Sequence, residues 1–212
     1  MLQRFFKTGV GEYGAGDRFL GVRVPVLRKL AREYRGIPLA DVRALLRSAW
    51  HEERLLALFV LVDQYARGDA RQREQIYQVY MSSTSRINNW DLVDASAEHI
   101  VGAHLRDGHR SRLRRLAKSE RLWERRIAVM ATFCYVKRGE FQTTLSVARL
   151  LLDDPHDLVH KAVGWMLREV GKRDRAVEEA FLRRYGRRMP RTMLRNAVER
   201  FPGTLRRRYL SA

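Results

Sequence analysis

The stretch HKAVGWMLREVGK, residues 160–172, has the periodicity of an amphipathic α-helix. Its apolar residues recur at three- and four-residue spacing, whereas a half-buried strand would alternate. The side predicted to be buried carries Ala162, Val163, Met166, Leu167 and Val170. The other side carries a stripe of Lys161, Trp165, Arg168 and Lys172, spaced i, i+4, i+7 and i+11. Because one side of such a helix is apolar, it must pack against further elements.

The same spacing continues along the whole chain, which 5 prolines and 14 glycines punctuate. Proline favours the first turn of a helix and glycine favours its end. The residues at such positions are Pro25, Pro155 and Pro190, and Gly68, Gly139 and Gly171. We predict twelve helices in six pairs, over residues 25–35, 39–48, 52–67, 71–82, 89–105, 111–118, 122–137, 140–152, 157–171, 174–185, 190–200 and 204–210.

A helix start with a polar cap, an aromatic residue and a charged residue returns about every 35 residues. The four places are near Trp50, Asn89, Leu122 and Asp157. In an all-helical chain, such a period predicts stacked helical hairpins that bury their apolar sides on one another. The predicted fold is all-α: a right-handed superhelical α-solenoid of about six hairpins with a basic concave surface, forming one domain over residues 1–212.

The chain is strongly basic, with 42 lysines and arginines against 24 acidic residues and a formal net charge of +18. This excess indicates a polyanionic partner, either nucleic acid or an anionic membrane surface. The densest clusters, residues 106–126 and 161–188, are predicted to follow a nucleic-acid backbone, so binding should weaken steeply with salt. An individual arginine in these clusters can equally serve only to solvate an outer face.

The cellular location is predicted from two features that are not found in the sequence, a membrane-spanning run and a signal peptide. No apolar run approaches the ~20 residues that span a bilayer, and the N-terminal MLQRFFKTG lacks the apolar stretch of a signal peptide. The only cysteine, Cys134, lies in the apolar run VMATFCYVK. We expect it to be a buried structural thiol, and we expect a cytoplasmic protein with no membrane partner.

A second stretch, INNWDLVDASAEHI at residues 87–100, places acidic side chains in this basic chain. Asn88 or Asn89 can cap a helix, and Asp91 in its first turn would complement the helix dipole. The residues spaced i, i+4 and i+8 on one side are Trp90, Asp94 and Glu98. A carboxylate on a DNA-facing surface repels phosphate, so its presence there requires a functional or structural explanation. Asp94 is therefore either functional or the ion-pair partner of a neighbouring arginine.

Two further tryptophans are candidates for DNA contact. Trp165, flanked by cations, can rest its ring on a sugar or base, or it can pack at a seam between helices. In LWERRIAVM, residues 122–130, Trp123 and Arg126 are spaced i, i+3. The residues predicted to face inward are Ile127, Val129 and Met130. Arg126 can hold a phosphate or pair with Asp94, and the sequence does not decide.

His156 and His160 bracket an acid at i, i+4 spacing, as in the helices of zinc peptidases. The acid here is aspartate, no third ligand is evident, and a helix cap or chance explains the spacing equally well. Glycine-rich phosphate loops and Ser-His-Asp arrangements are not recognisable in the sequence. We therefore expect no metal and no cofactor.

Five segments together make the chain resemble the AlkD-like DNA alkylation repair glycosylases, which are built from HEAT-like repeats. They are FKTGVGEYGAGDRFLGVRVPVLRKLAR, INNWDLVDASAEHIVG, LWERRIAVM, HDLVHKAVGWMLREVGKRD and MPRTMLRNAVERFP. The resemblance covers nearly the whole chain. It implies a monofunctional enzyme of base excision repair that removes positively charged N3- and N7-alkylated purines from duplex DNA without base flipping.

The resemblance also implies roles for individual residues. Asp94 is the catalytic carboxylate, Trp90 and Trp165 contact the deoxyribose backbone, and Arg126 holds a nearby phosphate. The full set expected to contact DNA is Trp123, Arg125, Arg126, Lys161, Arg168 and Lys172, with Asp91 and Glu98 as supporting residues. Family members often have an aromatic residue where this chain has Asn89, and they usually carry more helix before the FKTG-like segment. A smaller contact surface and a shorter DNA footprint are expected.

Two other functions remain open at the level of sequence. One is a catalytically inactive HEAT-like protein that binds distorted or branched DNA. The other is a helical-repeat scaffold for an acidic protein, which salt-sensitive duplex binding would disfavour. We expect a monomer associated with the nucleoid.

Overall fold

The structure is a computed structural model that describes residues 5–106, 108 and 110–211. The described part consists of helices and loops, with one isolated β-bridge between Arg18 and Trp50. The helices are α1 (Val24–Glu33), α2 (Leu39–Leu46), α3 (His51–Arg67), α4 (Ala70–Ser82), α5 (Trp90–Asp94), α6 (Ala103–Leu105), α7 (Ser111–Leu116), α8 (Leu122–Ala131), α9 (Phe133–Val136), α10 (Gln142–Leu150), α11 (Asp157–Gly171), α12 (Arg175–Tyr185), α13 (Arg191–Ala197) and α14 (Gly203–Ser211). Two compact units divide the chain, Met1–His104 and Leu105–Ala212.

The first unit is organised around α3, which packs against α1, α2, α4 and α5. Two acids in its first turn, Glu52 and Glu53, complement the positive end of the helix dipole. The helix ends at Arg67 and Gly68 follows it, as predicted. Leu58 and Leu61 are among the many α3 side chains that are fully buried. This helix therefore forms the centre of the first hydrophobic core.

The second unit is organised around α11, which packs against α8, α12 and α13. All five residues of its predicted apolar side are buried, namely Ala162, Val163, Met166, Leu167 and Val170. Gly164 lies so close to α13 that an added Cβ would collide with the backbone carbonyl of Met193. Glycine at this position allows the two helices to approach closely.

The predicted helix over residues 89–105 is wrong as a single element. Helix α5 ends at Asp94, and a π-helical turn, Glu98–Gly102, precedes α6. The Ser96 hydroxyl donates to the Leu92 carbonyl at 2.6 Å, and the Gly102 amide donates to the Ala97 carbonyl at 2.9 Å. Hydroxyl back-bonding and the wider π turn both disturb the regular helical repeat. Glu98 therefore lies in the π-helical turn and not in helix α5, which ends at Asp94.

The predicted helix over residues 122–137 is also interrupted. Helix α8 ends at Ala131, and the Thr132 hydroxyl donates to the Val129 carbonyl at 2.7 Å before α9 begins. Cys134, which we expected to be buried, is half-buried instead. Its neighbours Tyr135 and Val136 are the residues of α9 that fill the core.

The all-α prediction is confirmed, and the other predicted helices agree closely with the observed ones. Residues 157–171 were predicted as a helix, and α11 covers Asp157–Gly171. The superhelical stack, its basic concave surface and the single-domain organisation stay predictions. Among the described residues, no helix is both long enough and apolar enough to cross a membrane.

Candidate active site

Helix α5 carries two of the three acidic residues singled out in the sequence, Asp91 and Asp94. The side-chain oxygen of Asn89 accepts a hydrogen bond from the Trp90 amide at 2.9 Å, which confirms the predicted cap. Asp94 is the last residue of the helix and is half-buried. It borders a cavity of about 520 Å³ in the first unit, together with Trp90 and Asp91. The two carboxylates of α5, Asp91 and Asp94, therefore line a cavity and are not enclosed in the hydrophobic core.

Aromatic rings form one wall of this cavity. Phe6 stacks on Trp90 with ring centroids 5.5 Å apart, and Phe5 meets Trp90 edge to face at 5.9 Å. Phe6 also stacks on Phe19 at 4.9 Å, and Phe19 stacks on the His51 ring at 4.5 Å. Helices α1 and α3 line the cavity with four apolar side chains, those of Val24, Leu27, Leu55 and Phe59. Ring contacts of these kinds are favourable, so they restrict the orientation of Trp90.

A buried histidine connects α3 to α5. His51 is 1% exposed, and its Nε2 lies 2.7 Å from Asp91 Oδ2 while its Nδ1 lies 3.2 Å from Asp17 Oδ2. Arg54 Nη2 donates to the other oxygen of Asp17 at 2.6 Å. Asp17 also accepts hydrogen bonds from the side chains of Asn88 and Asn89. Asp91 thus has a buried partner in addition to its predicted place in the first turn of α5.

The two carboxylates determine the charge of His51. Burial alone would lower the pKa of His51, but hydrogen bonds and charges of Asp17 and Asp91 raise it to about 8. Burial would raise the pKa of Asp17, but His51 and Arg54 hold it below its usual range. At neutral pH the network therefore contains a cationic imidazole that donates to a carboxylate on each side.

The free energy of unfolding is expected to fall as the pH rises through about 8. The pKa of His51 is raised above its ordinary value of 6.5, so its stabilising contribution is complete below pH 6.5 and is lost as the pH passes about 8. At most about 2 kcal/mol is involved. Urea unfolding between pH 6 and pH 9 measures this effect. His51→Gln has no titrating side chain and should show a flatter pH dependence; equal slopes would contradict the assignment.

The predicted stripe on α11 is partly neutralised by neighbouring acids. The ion pairs are Lys161 with Asp157, Arg168 with Glu199, and Lys172 with Glu169. The side chains of Lys161 and Lys172 remain about half exposed, whereas Arg168 is mostly covered. The two lysines are therefore the cations of this stripe that reach solvent best.

Trp165 is half-buried, so it is neither a core residue nor a fully exposed one. Its indole N–H donates to Glu169 Oε1 at 3.3 Å, and its ring lies 6.3 Å from that of Phe133. Burial would raise the pKa of Glu169, but hydrogen bonds from Lys172 and Arg173 hold it below its usual range. Trp165 is thus positioned by an ionised carboxylate on its own helix. Trp123 is also half-buried.

Arg125 and Arg126 bind other parts of the second unit. Arg125 Nε donates to the buried Asp154 at 2.5 Å, and its Nη1 donates to the carbonyls of Ser119 and Glu120. Arg126 is 5% exposed and donates to the Leu158 carbonyl. The sequence left Arg126 open between holding a phosphate and pairing with Asp94, and the side chain is buried where α8 meets α11. DNA contact by either arginine stays a prediction.

The two histidines near the start of α11 have structural partners. His156 Nδ1 accepts from the Leu158 amide at 3.1 Å and so caps α11, while His160 Nε2 lies 2.5 Å from the Asp154 carbonyl. Burial lowers the pKa of His156. Within the described residues, no group of three or more His, Cys, Asp or Glu side chains is arranged to hold a metal ion.

Comparison with known proteins identifies the family. The family model described as DNA alkylation repair enzyme matches residues 1–201. The chain belongs to this family. A predicted DNA alkylation repair enzyme from Enterococcus faecalis shares the fold, with a TM-score of 0.73 and 15% sequence identity, over 95% of this chain and 93% of that chain. Among curated proteins, none gives a significant match.

The sequence pattern of this DNA alkylation repair enzyme did not single out the buried network. Phe6 and Asp17 lie in the FKTG-like segment, which carried the resemblance without any assigned role. His51 and Arg54 lie at the start of α3, which was interpreted as a repeat marker. The available signal was the position of His51 and Arg54, spaced i, i+3, directly before the apolar run LLALFVLV of α3. The half-buried Glu98 remains a predicted supporting residue.

Proposed function

We propose that this DNA alkylation repair enzyme is a DNA glycosylase that hydrolyses the N-glycosidic bond of positively charged N3- and N7-alkylated purines in duplex DNA. The family supports DNA alkylation repair in general. The glycosylase reaction, the duplex substrate and the absence of base flipping belong to the proposal. Asp94 acts as the catalytic carboxylate, and Trp90 and Trp165 contact the deoxyribose backbone.

A single carboxylate suffices for this reaction. Ordinary glycoside hydrolysis uses two carboxyl groups, one to protonate the leaving group and one to stabilise or attack the sugar. A purine alkylated at N3 or N7 already bears a positive charge, takes the bonding electrons and departs as a neutral molecule. The ionised Asp94 stabilises the oxocarbenium-like sugar and orients the attacking water, which bonds to the sugar and releases a proton to the surrounding water.

The observation that carries the proposal is the position of Asp94 beside Trp90 on the border of the aromatic-walled cavity. A half-buried carboxylate acts through a lower effective dielectric than one in bulk water, so its field on a nearby cation is stronger. Phe5 and Phe6 fix the ring of Trp90 through their ring contacts. A fixed ring next to the carboxylate can exclude water from one side of the sugar.

Duplex DNA as the partner is supported by the net charge of +18. Arg23 and Arg28 border the same cavity as Asp94, so cations are available next to the proposed catalytic group. Lys161 and Lys172 add exposed charge in the second unit. Phosphate contacts of this kind provide affinity without reading sequence. Lesion selectivity then comes from the charge and lability of the damaged base.

The wild-type chain is expected to release 7-methylguanine from a methylated duplex and to leave uracil in an otherwise identical duplex. Uracil is neutral and departs poorly without a proton donor, which the proposed site does not supply. Chromatography of the freed bases measures both reactions. Duplex binding without release of 7-methylguanine would reject the glycosylase and favour a non-catalytic protein that binds damaged or distorted DNA.

A further inference from the structure

We propose that His51 is the positioning residue of this active site, because it fixes both helix α5 and the ring of Trp90. The effect of His51 on catalysis rests on the proposed glycosylase function. The effect of His51 on the position of the Trp90 ring does not depend on that function. His51 would act through Asp91 and through Phe6, without touching the DNA.

The first connection runs through the helix. Helix α5 has only 5 residues, which is too short for its own hydrogen bonds to hold it in place. The 2.7 Å bond between His51 Nε2 and Asp91 Oδ2 ties its first turn to the long helix α3. Asp94 follows Asp91 by one helical turn. Fixing Asp91 therefore fixes the backbone from which the proposed catalytic carboxylate projects.

The second connection runs through the rings. The His51 ring lies 5.1 Å from that of Phe6, and Phe6 stacks on Trp90 at 5.5 Å. Phe19 stacks on both of these rings, with its centroid 4.5 Å from that of His51 and 4.9 Å from that of Phe6. Removing the imidazole would leave Phe6 with less support, and Trp90 would lose orientation as a result.

His51 is itself rigidly held. The Asp17 carboxylate is anchored by Arg54 at 2.6 Å. The loop that carries Asp17 and Phe19 is tied to α3 by Glu52, which accepts hydrogen bonds from the Leu20 amide at 2.9 Å and the Gly21 amide at 2.8 Å. A support of this kind transmits position, because the hydrogen bonds of Arg54 and Glu52 hold the loop that carries Asp17 against α3.

Two substitutions separate the bonds of His51. The amide nitrogen of glutamine can replace Nε2, so His51→Gln can retain the bond to Asp91. The amide nitrogen of asparagine can replace Nδ1, so His51→Asn can retain the bond to Asp17 while losing the one to Asp91. Both variants lose the ring and the charge, so they differ in which carboxylate stays bonded: Asp91 in His51→Gln and Asp17 in His51→Asn.

Two readouts are needed, and the first is independent of catalysis. The indole N–H signal of Trp90 in ¹H–¹⁵N NMR, assigned by its disappearance in Trp90→Phe, reports the position of the ring. Single-turnover release of 7-methylguanine, alongside duplex affinity, reports the reaction. Val42→Ala is the control, since Val42 is fully buried on α2 and does not border the cavity.

His51→Asn is expected to shift or broaden the Trp90 signal and to slow base release by ~10- to 100-fold at unchanged duplex affinity. His51→Gln should show smaller changes in both readouts. Val42→Ala, although less stable, should change neither in the folded protein. An unmoved Trp90 signal in His51→Asn, or equal rates in the two His51 variants, would overturn the inference. If the wild type releases no base, the proposed function fails, and the Trp90 signal alone decides whether His51 positions α5.

Discussion

Asp94→Asn is expected to slow the release of 7-methylguanine by ~100- to 1,000-fold, because it removes the charge that stabilises the oxocarbenium-like sugar. Asparagine has nearly the same shape as aspartate, so the contacts of α5 with α3 should persist. Affinity for the duplex should be unchanged or higher, since phosphate contacts dominate binding and a repulsive carboxylate is removed. Single-turnover release with enzyme in excess, and fluorescence anisotropy for affinity, measure the two quantities separately.

The matched control for this experiment is Asp41→Asn. Asp41 is an exposed aspartate in the first turn of α2 and does not border the cavity. The same chemical change at this position should leave both release and affinity at wild-type values. Equal release by the wild type and Asp94→Asn would show that Asp94 is not the catalytic carboxylate, even if the protein is a glycosylase.

The helices were predictable wherever apolar spacing and local signals agreed. Helix α11 has its apolar side, its acidic first turn and its cap within a single run of sequence, so its bounds followed directly. The breaks at Ser96 and Thr132 were not predictable from periodicity. A hydroxyl that donates to a carbonyl three or four residues earlier leaves the apolar spacing almost unchanged.

The candidate site was predictable only in part. Trp90 and Asp94 stand close together in sequence, so their proximity in the first unit followed from helical spacing. The hydrogen-bonded network that holds α5 joins Asp17 to His51, 34 residues apart in sequence, and His51 to Asp91, 40 residues apart. Contacts across such separations depend on tertiary packing, which no local pattern specifies. For the same reason, the burial of Arg126 could not be inferred from its position on α8.

Asp17→Asn is expected to lower the free energy of unfolding by about 3–5 kcal/mol. Asp17 is the carboxylate that pairs with the buried Arg54 and His51, so its neutralisation removes the counter-charge that the two cations share. Solvent cannot compensate, because all three side chains are almost fully buried. Urea unfolding at pH 7, followed by circular dichroism, measures the change.

An exposed aspartate–arginine pair provides the comparison that isolates burial as the cause. Asp153 Oδ2 lies 2.6 Å from Arg188 Nη2, close to the distance in the buried pair, but both side chains are largely exposed. Asp153→Asn should therefore cost only about 0–1 kcal/mol. Combining Asp17→Asn with Arg54→Met should recover part of the loss, because the buried guanidinium disappears along with its partner. A cost for Asp17→Asn no larger than that for Asp153→Asn would mean that water reaches the network, and His51 could then not hold α5 as rigidly as its contacts require.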